Sequence, residues 1–228
     1  GIFLLSMCRA QTHEKPLMGV EQTSVYLPLL GTQNIALVTN QTGVFTNSSS
    51  QTHMVDSLVS LGVNLKKIFA PEHGFRGKAD AGEHVINGLD VSTGLPIISL
   101  YGSNKKPTNK QLEGIDLLIF DIQDVGARFY TYISTLHYVL EAAAENNIAV
   151  LVLDRPNPNG HFVDGPLLEK DCQSFVGMHP VPIVHGMTVG EYAKMIVGEQ
   201  WIDTDKKCDL TIIPVKNYTH QTPYSLPI

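Results

Sequence analysis

The chain has 228 residues, enough for one large domain with a sizeable hydrophobic core. Hydrophobic residues make up 43% of it and charged residues 17%, a composition typical of folded globular proteins rather than disordered ones. The formal net charge of −6 argues against nucleic-acid binding, which requires a basic face. We therefore expect no nucleic-acid partner.

The sequence opens with GIFLLSMCRAQ, which is typical of the end of a secretory signal followed by small and polar residues. We interpret residues 1–20 as an export-signal remnant or N-terminal extension, and we expect a periplasmic or secreted protein. Cys8 is a candidate lipid-anchor cysteine, although the preceding Met7 is bulky for such a site. The alternative is a frayed terminus with a few apolar residues. No other segment has the ~20 apolar residues of a membrane span, so no stable span is expected.

Short apolar runs alternate with helical patterns from residue 35 onward. Six of these runs are rich in Val, Ile and Leu along their whole length, as are strands of a sheet that is covered on both faces. The predicted strands span residues 34–40, 66–70, 95–101, 116–122, 148–154 and 210–215.

Three helices are predicted between these strands, at residues 53–62, 131–147 and 188–198. The first ends in a glycine, and the last opens with Thr188 and Glu191 at the spacing of a capping box. The second has its apolar residues at helical spacing, namely Ile133, Leu136, Leu140 and Ala143.

The alternation of strands and helices with short connections predicts right-handed crossovers. The expected fold is α/β, with a Rossmann-like, doubly wound, mostly parallel sheet over residues 21–215. Residues 216–228 have no terminal helix or strand pattern and are interpreted as a linker toward a smaller second domain, which is largely absent from this sequence.

Several common catalytic and binding motifs are missing. There is no GxGxxG or P-loop sequence, which counts against a nucleotide-binding protein, and no GxSxG, which counts against a serine α/β-hydrolase. Three cysteines form no disulfide framework, and a Cys172–Cys208 bridge and free buried thiols both stay open.

Polar residues follow five successive predicted strands. In open parallel sheets, ligands bind at the carboxyl ends of the strands, where such residues converge. The residues at these ends are Asn40, Gln41, Thr42, Glu72, His73, Tyr101, Asp121, Gln123, Asp124, Asp154, Arg155 and Asn157.

Glu72 is the main catalytic candidate among them. It follows Pro71 and precedes Gly74 and Gly77, which allow the backbone to approach a ligand closely. A glutamate buried at such a place can protonate a leaving oxygen. The alternative is a structural role, as a helix cap or as the ion-pair partner of Arg76.

The other candidates also have structural alternatives. Glu83 lies in a segment that is equally typical of a surface turn, and Asp124 equally of a helix cap. Arg128 is an anion-binding group beside aromatic residues, Arg155 a candidate rim ion pair with Asp154, and His185 a candidate structural histidine.

Metal binding is not expected. The pairs Glu72–His73 and Glu83–His84 are adjacent in sequence and point to opposite faces of an extended chain, and no HExxH spacing is present. We therefore predict neither a metal nor another cofactor.

Seven motifs together resemble a known family. They are LVTNQTG (37–43), APEHGFRG (70–77), AGE (81–83), DIQDVGARFYTY (121–132), LDRPNP (153–158), DGPLLE (164–169) and HGMTVGE (185–191). In this order they are similar to the family of domain of unknown function 1343 (DUF1343), which includes an exo-β-N-acetylmuramidase.

The resemblance implies an exo-acting glycoside hydrolase that releases N-acetylmuramic acid from the non-reducing end of peptidoglycan fragments, in cell-wall turnover or recycling. It implies a Rossmann-like N-terminal domain, and a smaller C-terminal domain that completes the cleft. Its PEHG glutamate corresponds to Glu72. The alternative function is a non-catalytic module that binds peptidoglycan sugars.

Glycoside cleavage commonly uses two carboxyl groups. Glu72 is the expected general acid, with Asp121 or Glu83 as its partner; alternatively the acetamido group of the sugar attacks, oriented by Asp121 or Asp124. An arginine is suited to read the lactyl carboxylate. The expected substrate-binding residues are Asn40, His73, Arg76, Tyr101, Gln123, Asp124, Arg128, Arg155, Asn157 and His185.

Overall fold

The computed structural model describes residues 14–47, 50–72, 74–76 and 88–226. Within these ranges the strands are β1 (Ile35–Thr39), β2 (Val44–Asn47), β3 (Ser50–His53), β4 (Leu65–Ala70), β5 (Gly88–Leu89), β6 (Pro96–Ser99), β7 (Leu117–Asp121), β8 (Ala149–Leu153) and β9 (Leu210–Ile213). The α-helices are α1 (Thr23–Leu30), α2 (Met54–Ser60), α3 (Asn109–Leu112), α4 (Tyr132–Asn146) and α5 (Val189–Gly198).

The main sheet has the strand order β5-β6-β4-β1-β7-β8-β9. Its edge strand β5 pairs antiparallel with β6, and the other pairs are parallel. Without β5, this is the strand order of the doubly wound dinucleotide-binding fold. The predicted Rossmann-like fold is therefore confirmed. The direction of winding reverses between β1 and β7, so a crevice opens at the carboxyl ends of these two strands.

The two central strands are buried along their whole length, as their continuous apolar sequences predict. Side chains of β1 alternate between the two faces of the sheet. Ile35 and Leu37 pack in the hydrophobic cluster that includes residues of α1 and α2. Ala36 and Val38 pack in the cluster that includes residues of α4 and α5. The sheet is thus covered by helices on both faces.

All three predicted helices are present. The Thr188 side chain accepts a hydrogen bond from the backbone N–H of Glu191, and the Glu191 side chain accepts one from the Thr188 N–H, so the predicted capping box of α5 is confirmed. Helix α4 ends at Asn147, whose φ of 55° closes the helix in the left-handed conformation. In the described part of the chain, no helix is long and apolar enough to span a bilayer.

Five further helices and strands were not predicted from the sequence. Helix α1 contains Pro28, which normally interrupts a helical pattern. Strands β2 and β3 form an antiparallel hairpin whose Thr-, Asn- and Ser-rich sequence is typical of a loop. Strand β5 has two residues and helix α3 four, so neither is long enough to give a periodic signal.

Two cysteines lie in the described part of the chain, and both are free thiols. The alternative of a Cys172–Cys208 bridge is therefore wrong. Cys208 is buried, as predicted, and burial raises the pKa of its thiol to about 11. Cys172 is exposed rather than buried, because its short 3₁₀ turn (Lys170–Cys172) lies at the surface.

The Asp154 side chain links the end of β8 to the start of α5 by hydrogen bonds. Its carboxylate accepts hydrogen bonds from the Thr188 hydroxyl at 2.8 Å and from the Gly190 backbone N–H at 2.7 Å. Burial raises the pKa of Asp154 to about 6. A Cβ atom at Gly190 would lie 2.7 Å from the Asp154 carboxyl carbon, so the close approach of helix and strand requires glycine.

We predict opposite effects on stability for two glycine substitutions in α5. Gly190→Ala should lower the free energy of unfolding by about 1–3 kcal/mol, because the new methyl group overlaps a buried carboxyl group. Gly198→Ala is the matched control, since a Cβ atom there meets no atom within 4 Å. It should leave stability unchanged or raise it by up to about 1 kcal/mol. Equal effects of both variants in urea denaturation would contradict this packing.

Candidate active site

Glu72 lies just beyond the carboxyl end of β4 and is half-buried. Its Oε2 accepts a hydrogen bond from the Thr131 hydroxyl at 3.0 Å, and its side chain is also hydrogen-bonded to Tyr101. Thr131 is the N-cap residue of α4, yet its side chain makes no capping hydrogen bond. The hydroxyl that would cap the helix instead orients the Glu72 carboxylate beside the positive end of the helix dipole.

Glu72 faces a cavity of about 410 Å³, a size typical of small-molecule sites. The residues that line it are Glu72, Tyr101, Gly102, Lys105, Thr131, Ser174, Phe175 and Val176. A larger cavity of about 570 Å³ lies between the end of α5 and the loop that precedes β9. It contains no residue predicted to be functional, so we assign the candidate site to the smaller cavity.

Two tyrosines accompany the carboxylates. The negative charge of Glu72 raises the pKa of Tyr101, so this phenol stays protonated and remains a hydrogen-bond donor. Burial raises the pKa of Tyr132 to about 12, and the charges of Glu72 and Asp124 act in the same direction. Tyr132 therefore lies within electrostatic range of both carboxylates.

Asp124 and His185 carry unsatisfied polar atoms beneath this edge of the sheet. Asp124 Oδ2 accepts a hydrogen bond from the Gly126 N–H at 2.8 Å, whereas Oδ1 is buried and has no hydrogen-bond partner among the described residues. His185 Nδ1 accepts from the Met187 N–H at 3.2 Å, which leaves the ring proton on Nε2. That Nε2 lies 3.7 Å from Asp124 Oδ2 and likewise lacks a hydrogen bond. Such groups are uncommon in protein interiors, and each needs an explanation such as a bound water or a functional role.

Asp121 and Arg155 form a completely buried ion pair. The Arg155 Nε lies 2.7 Å from Asp121 Oδ1, and its Nη2 lies 3.0 Å from Oδ2. Neither side chain has any exposed surface. The sequence predicted Asp121 as a catalytic group, and Arg155 as a substrate-binding group or as a rim partner of Asp154. In the structure, Asp121 and Arg155 instead pair with each other below the surface. The guanidinium group binds both oxygens of the carboxylate.

The other two candidate arginines also bind within the chain. Arg76 makes paired hydrogen bonds to Asp90, both at 2.9 Å, and to Asp56 at 3.0 and 3.3 Å. These partners, rather than Glu72, satisfy its guanidinium group. Arg128 donates to the carbonyl oxygens of Pro166 and Val181. Arg76 and Arg155 are thus paired with carboxylates, whereas Arg128 uses only its Nη1 for these two bonds. None of the three lines the cavity that Glu72 faces.

Three polar candidates shape the loops around the crevice. Asn40 Oδ1 accepts from the Thr42 N–H at 2.9 Å and fixes the turn after β1. Gln123 Nε2 donates to the carbonyl oxygens of Asp124 and Pro156, at 2.7 and 2.8 Å. The Asn157 amide donates to Met187 O at 2.8 Å and lies against Gly126, where a Cβ atom would approach it to 2.3 Å. The Gln123 side chain thus connects the loops that follow β7 and β8, and its backbone N–H reaches the loop after β1 through the Thr42 hydroxyl at 2.9 Å.

The segment that follows β9 returns to these loops. The Tyr218 hydroxyl donates to Asn157 O at 3.2 Å, and the Tyr224 hydroxyl donates to Gln123 Oε1, also at 3.2 Å. Residues 216–226, interpreted as a linker from the sequence, thus contact the loops that follow β7 and β8 through these two tyrosines. The domain boundaries remain a prediction.

Two of the predicted site residues, His73 and Glu83, lie outside the described residues. Among the residues that are described, no group of three or more His, Cys, Asp or Glu side chains is arranged to hold a metal ion.

Lys105 and Phe175 line the cavity but were not predicted as site residues. Lys105 is in the loop after β6, so its position beyond a strand end was an available signal. Phe175 is far from every predicted strand end, and no sequence signal places it there. Thr131 and Tyr132 were not predicted as site residues either, because a threonine before a helix is typical of a cap and an aromatic residue beside it of the core.

The family model described as "Exo-beta-N-acetylmuramidase NamZ, N-terminal" matches residues 35–228. The chain belongs to this family, the NamZ N-terminal family. The strand ends that carry Glu72, Asp121 and Asp124 all lie inside the matched range, so the candidate site is part of the family domain.

Members of the NamZ family and of DUF1343 are similar to this chain along nearly its whole length. A peptidoglycan β-N-acetylmuramidase, NamZ of Bacillus subtilis (strain 168), is 45% identical over 222 residues, which cover 94% of this chain and 51% of that protein. Two DUF1343 crystal structures from Bacteroides fragilis NCTC 9343 have a similar fold. BF0379 has a TM-score of 0.83 at 47% identity, covering 94% of this chain and 56% of its own. BF0371 has a TM-score of 0.82 at 39% identity, with coverages of 92% and 52%.

The chain therefore spans about half the length of these relatives. The predicted resemblance to DUF1343 is confirmed.

The buried ion pair gives a test of the scaffold beneath the site. Asp121→Asn or Arg155→Met alone should lower the free energy of unfolding by about 3–5 kcal/mol, because each leaves a buried charge without its partner. The double variant should lose clearly less than the sum of the two, as measured by urea denaturation. Additive losses, or single losses below about 1 kcal/mol, would show that the pair does not hold these strands.

Proposed function

We propose that this chain forms the catalytic domain of an exo-β-N-acetylmuramidase, which releases N-acetylmuramic acid from the non-reducing end of peptidoglycan fragments. The observation that carries this proposal is the Glu72 carboxylate, oriented by Thr131 and Tyr101 in a cavity at the carboxyl edge of the sheet. Membership of the NamZ family and the 45% identity to a named muramidase support it.

Glu72 is the proposed general acid. It is half-buried and faces the cavity, so that its proton can reach the oxygen of a glycosidic bond held there. The hydrogen bond from Thr131 holds Oε2, and Tyr101 holds the carboxylate from the cavity wall. Positioning of this kind is worth several orders of magnitude when the acid lies within hydrogen-bond distance of the oxygen it protonates.

Asp124 is the carboxylate that best suits the second role. Asp121 is neutralised by Arg155, whereas Asp124 keeps one oxygen without a partner among the described residues. That oxygen can accept a proton from an attacking water or from the acetamido N–H of the sugar. The second route is substrate-assisted catalysis, in which the acetamido oxygen attacks the anomeric carbon. Glu83, which lies outside the described residues, stays a predicted alternative partner.

We further propose that the part of the relatives beyond this chain completes the cleft. The loops at the carboxyl edge form one wall, and residues 216–226 lie against them through Tyr218 and Tyr224. Since peptidoglycan lies outside the cytoplasmic membrane, we propose that the protein acts there, in the periplasm or after secretion, in turnover and recycling of the cell wall.

Substitution of Glu72 tests the proposed acid. In the chain extended to the full length of its relatives, Glu72→Gln should lower kcat/KM at least 100-fold for a disaccharide with N-acetylmuramic acid at its non-reducing end, because the amide cannot donate the proton that the sugar leaving group requires. The matched control is Glu113→Gln, which changes an exposed glutamate away from the cavity and should keep wild-type activity. Release of N-acetylmuramic acid measures both.

A Glu72→Gln variant with wild-type activity would refute the assignment of the acid. A wild-type protein that binds muramyl sugars with no turnover would instead support the non-catalytic binding module.

Substitution of Asp124 separates a catalytic role from a structural one. Asp124→Asn keeps an oxygen to accept the Gly126 N–H, so its melting temperature should stay close to that of the wild type. We expect kcat to fall at least about 10-fold because the group loses its charge. A variant with lowered stability and unchanged kcat would show that Asp124 is structural. A steep loss of rate with an N-trifluoroacetyl substrate would support the acetamido route.

A further inference from the structure

Lys105 places a positive charge in the Glu72 cavity. It is the one lysine or arginine among the residues that line this cavity. It is half-buried, and its Nζ lies 4.5 Å from the centre of the Phe175 ring, in a cation–π contact. No carboxylate of the described residues forms an ion pair with it. Its charge is therefore available to a ligand.

The neighbouring lysine has a different partner. Lys106 Nζ lies 2.7 Å from Glu141 and 2.7 Å from Glu145, both on α4. This double ion pair fixes the loop after β6 to the helix. The loop is held at a second point by Asn104, whose amide donates to Ser99 O at 2.6 Å. The backbone is thus anchored on both sides of Lys105, which lies in the cavity wall.

Phe175 is also held in place. Its ring stacks on Tyr138 of α4, with the ring centres 6.1 Å apart and an angle of 12° between the planes. One face of the cavity therefore combines an ammonium group with an aromatic ring. A cation beside an aromatic face suits a ligand that has both an anionic substituent and an apolar ring face.

None of the three candidate arginines lines this cavity. Arg76, Arg128 and Arg155 bind aspartates or carbonyl oxygens of the chain itself. A substrate that carries a carboxylate still needs a positive group in the cavity, because burial of an unpaired charge is costly.

We propose that Lys105 binds a carboxylate of the substrate and that Phe175 packs against the sugar beside it. Lys105 is then a specificity-determining residue that selects acidic sugars over neutral N-acetylhexosamines. This inference rests on the proposed function, since it concerns the same cavity. The carboxylate belongs either to the lactyl ether of muramic acid or to a peptide attached to it.

Three substrates separate these sources in the full-length protein: a 4-nitrophenyl β-N-acetylmuramide with a free lactyl carboxylate, the same compound as its lactyl amide, and the 4-nitrophenyl β-glycoside of a muramyl dipeptide. We expect the wild type to prefer the free acid over the amide by about tenfold in kcat/KM. Lys105→Met should abolish this preference, and Lys105→Arg should keep most of it. Lys110→Met, at an exposed position on α3, is the control and should match the wild type.

The dipeptide identifies the carboxylate. If Lys105 binds the lactyl carboxylate, the dipeptide substrate should have the low kcat/KM of the lactyl amide. If Lys105 binds the peptide carboxylate, the dipeptide substrate should have a higher kcat/KM than the amide, and Lys105→Met should remove this difference. A Lys105→Met variant with the wild-type preference for acid over amide overturns the proposal.

Binding measurements distinguish a failure of the proposed function from a failure of the role proposed for Lys105. If the wild type cleaves none of these compounds, the proposed function fails, and calorimetry with N-acetylmuramic acid and its lactyl amide decides the role of Lys105. Weaker binding of the acid by Lys105→Met, with unchanged binding of the amide, supports it. Equal binding of the acid by both proteins contradicts it.

Discussion

The buried ion pair between Asp121 and Arg155 is the constraint on which the site depends. Asp121 ends β7 and Arg155 follows β8, and the guanidinium group also donates to the carbonyl oxygen of Val44 in the β2–β3 hairpin. Two charges removed from water are tolerated only when they satisfy each other with good geometry. The pair therefore fixes the starting points of the loops after β7 and β8, which carry Asp124 and Asn157.

Carboxylates at equivalent strand ends have different roles because their partners differ. Asp121 is neutralised by an arginine, and Asp154 is buried as an acceptor for the first turn of α5, with its pKa raised to about 6. Glu72 keeps access to a cavity while Thr131 and Tyr101 orient it. An acidic residue at the carboxyl end of a strand is thus a candidate catalytic residue. Its hydrogen-bond partners determine whether its role is catalytic or structural.

The sequence predicted the fold more fully than the site. Continuous apolar runs identify central strands such as β1 and β7 because burial on both faces demands them. Helix α1 was not predicted because it contains Pro28, which local sequence patterns interpret as a helix break. Such patterns take no account of the tertiary packing that stabilises the helix. The partners of Arg76, at positions 56 and 90, are distant in sequence, so its ion pairs could not be anticipated. For the same reason, Lys105 and Lys106 are indistinguishable in sequence although one faces the cavity and the other holds α4.

The central claim is that the cavity lined by Glu72 and Lys105 holds the sugar on which Asp124, at the same edge of the sheet, also acts. A crystal structure of the full-length Glu72→Gln variant with a disaccharide that has N-acetylmuramic acid at its non-reducing end tests this most directly. The account predicts the glycosidic oxygen within about 3.2 Å of the side chain at position 72, the distance required for proton transfer. It also predicts the acetamido group toward Asp124 and a carboxylate at Lys105. A disaccharide bound at another edge of the sheet, or with its glycosidic oxygen facing away from position 72, would contradict it.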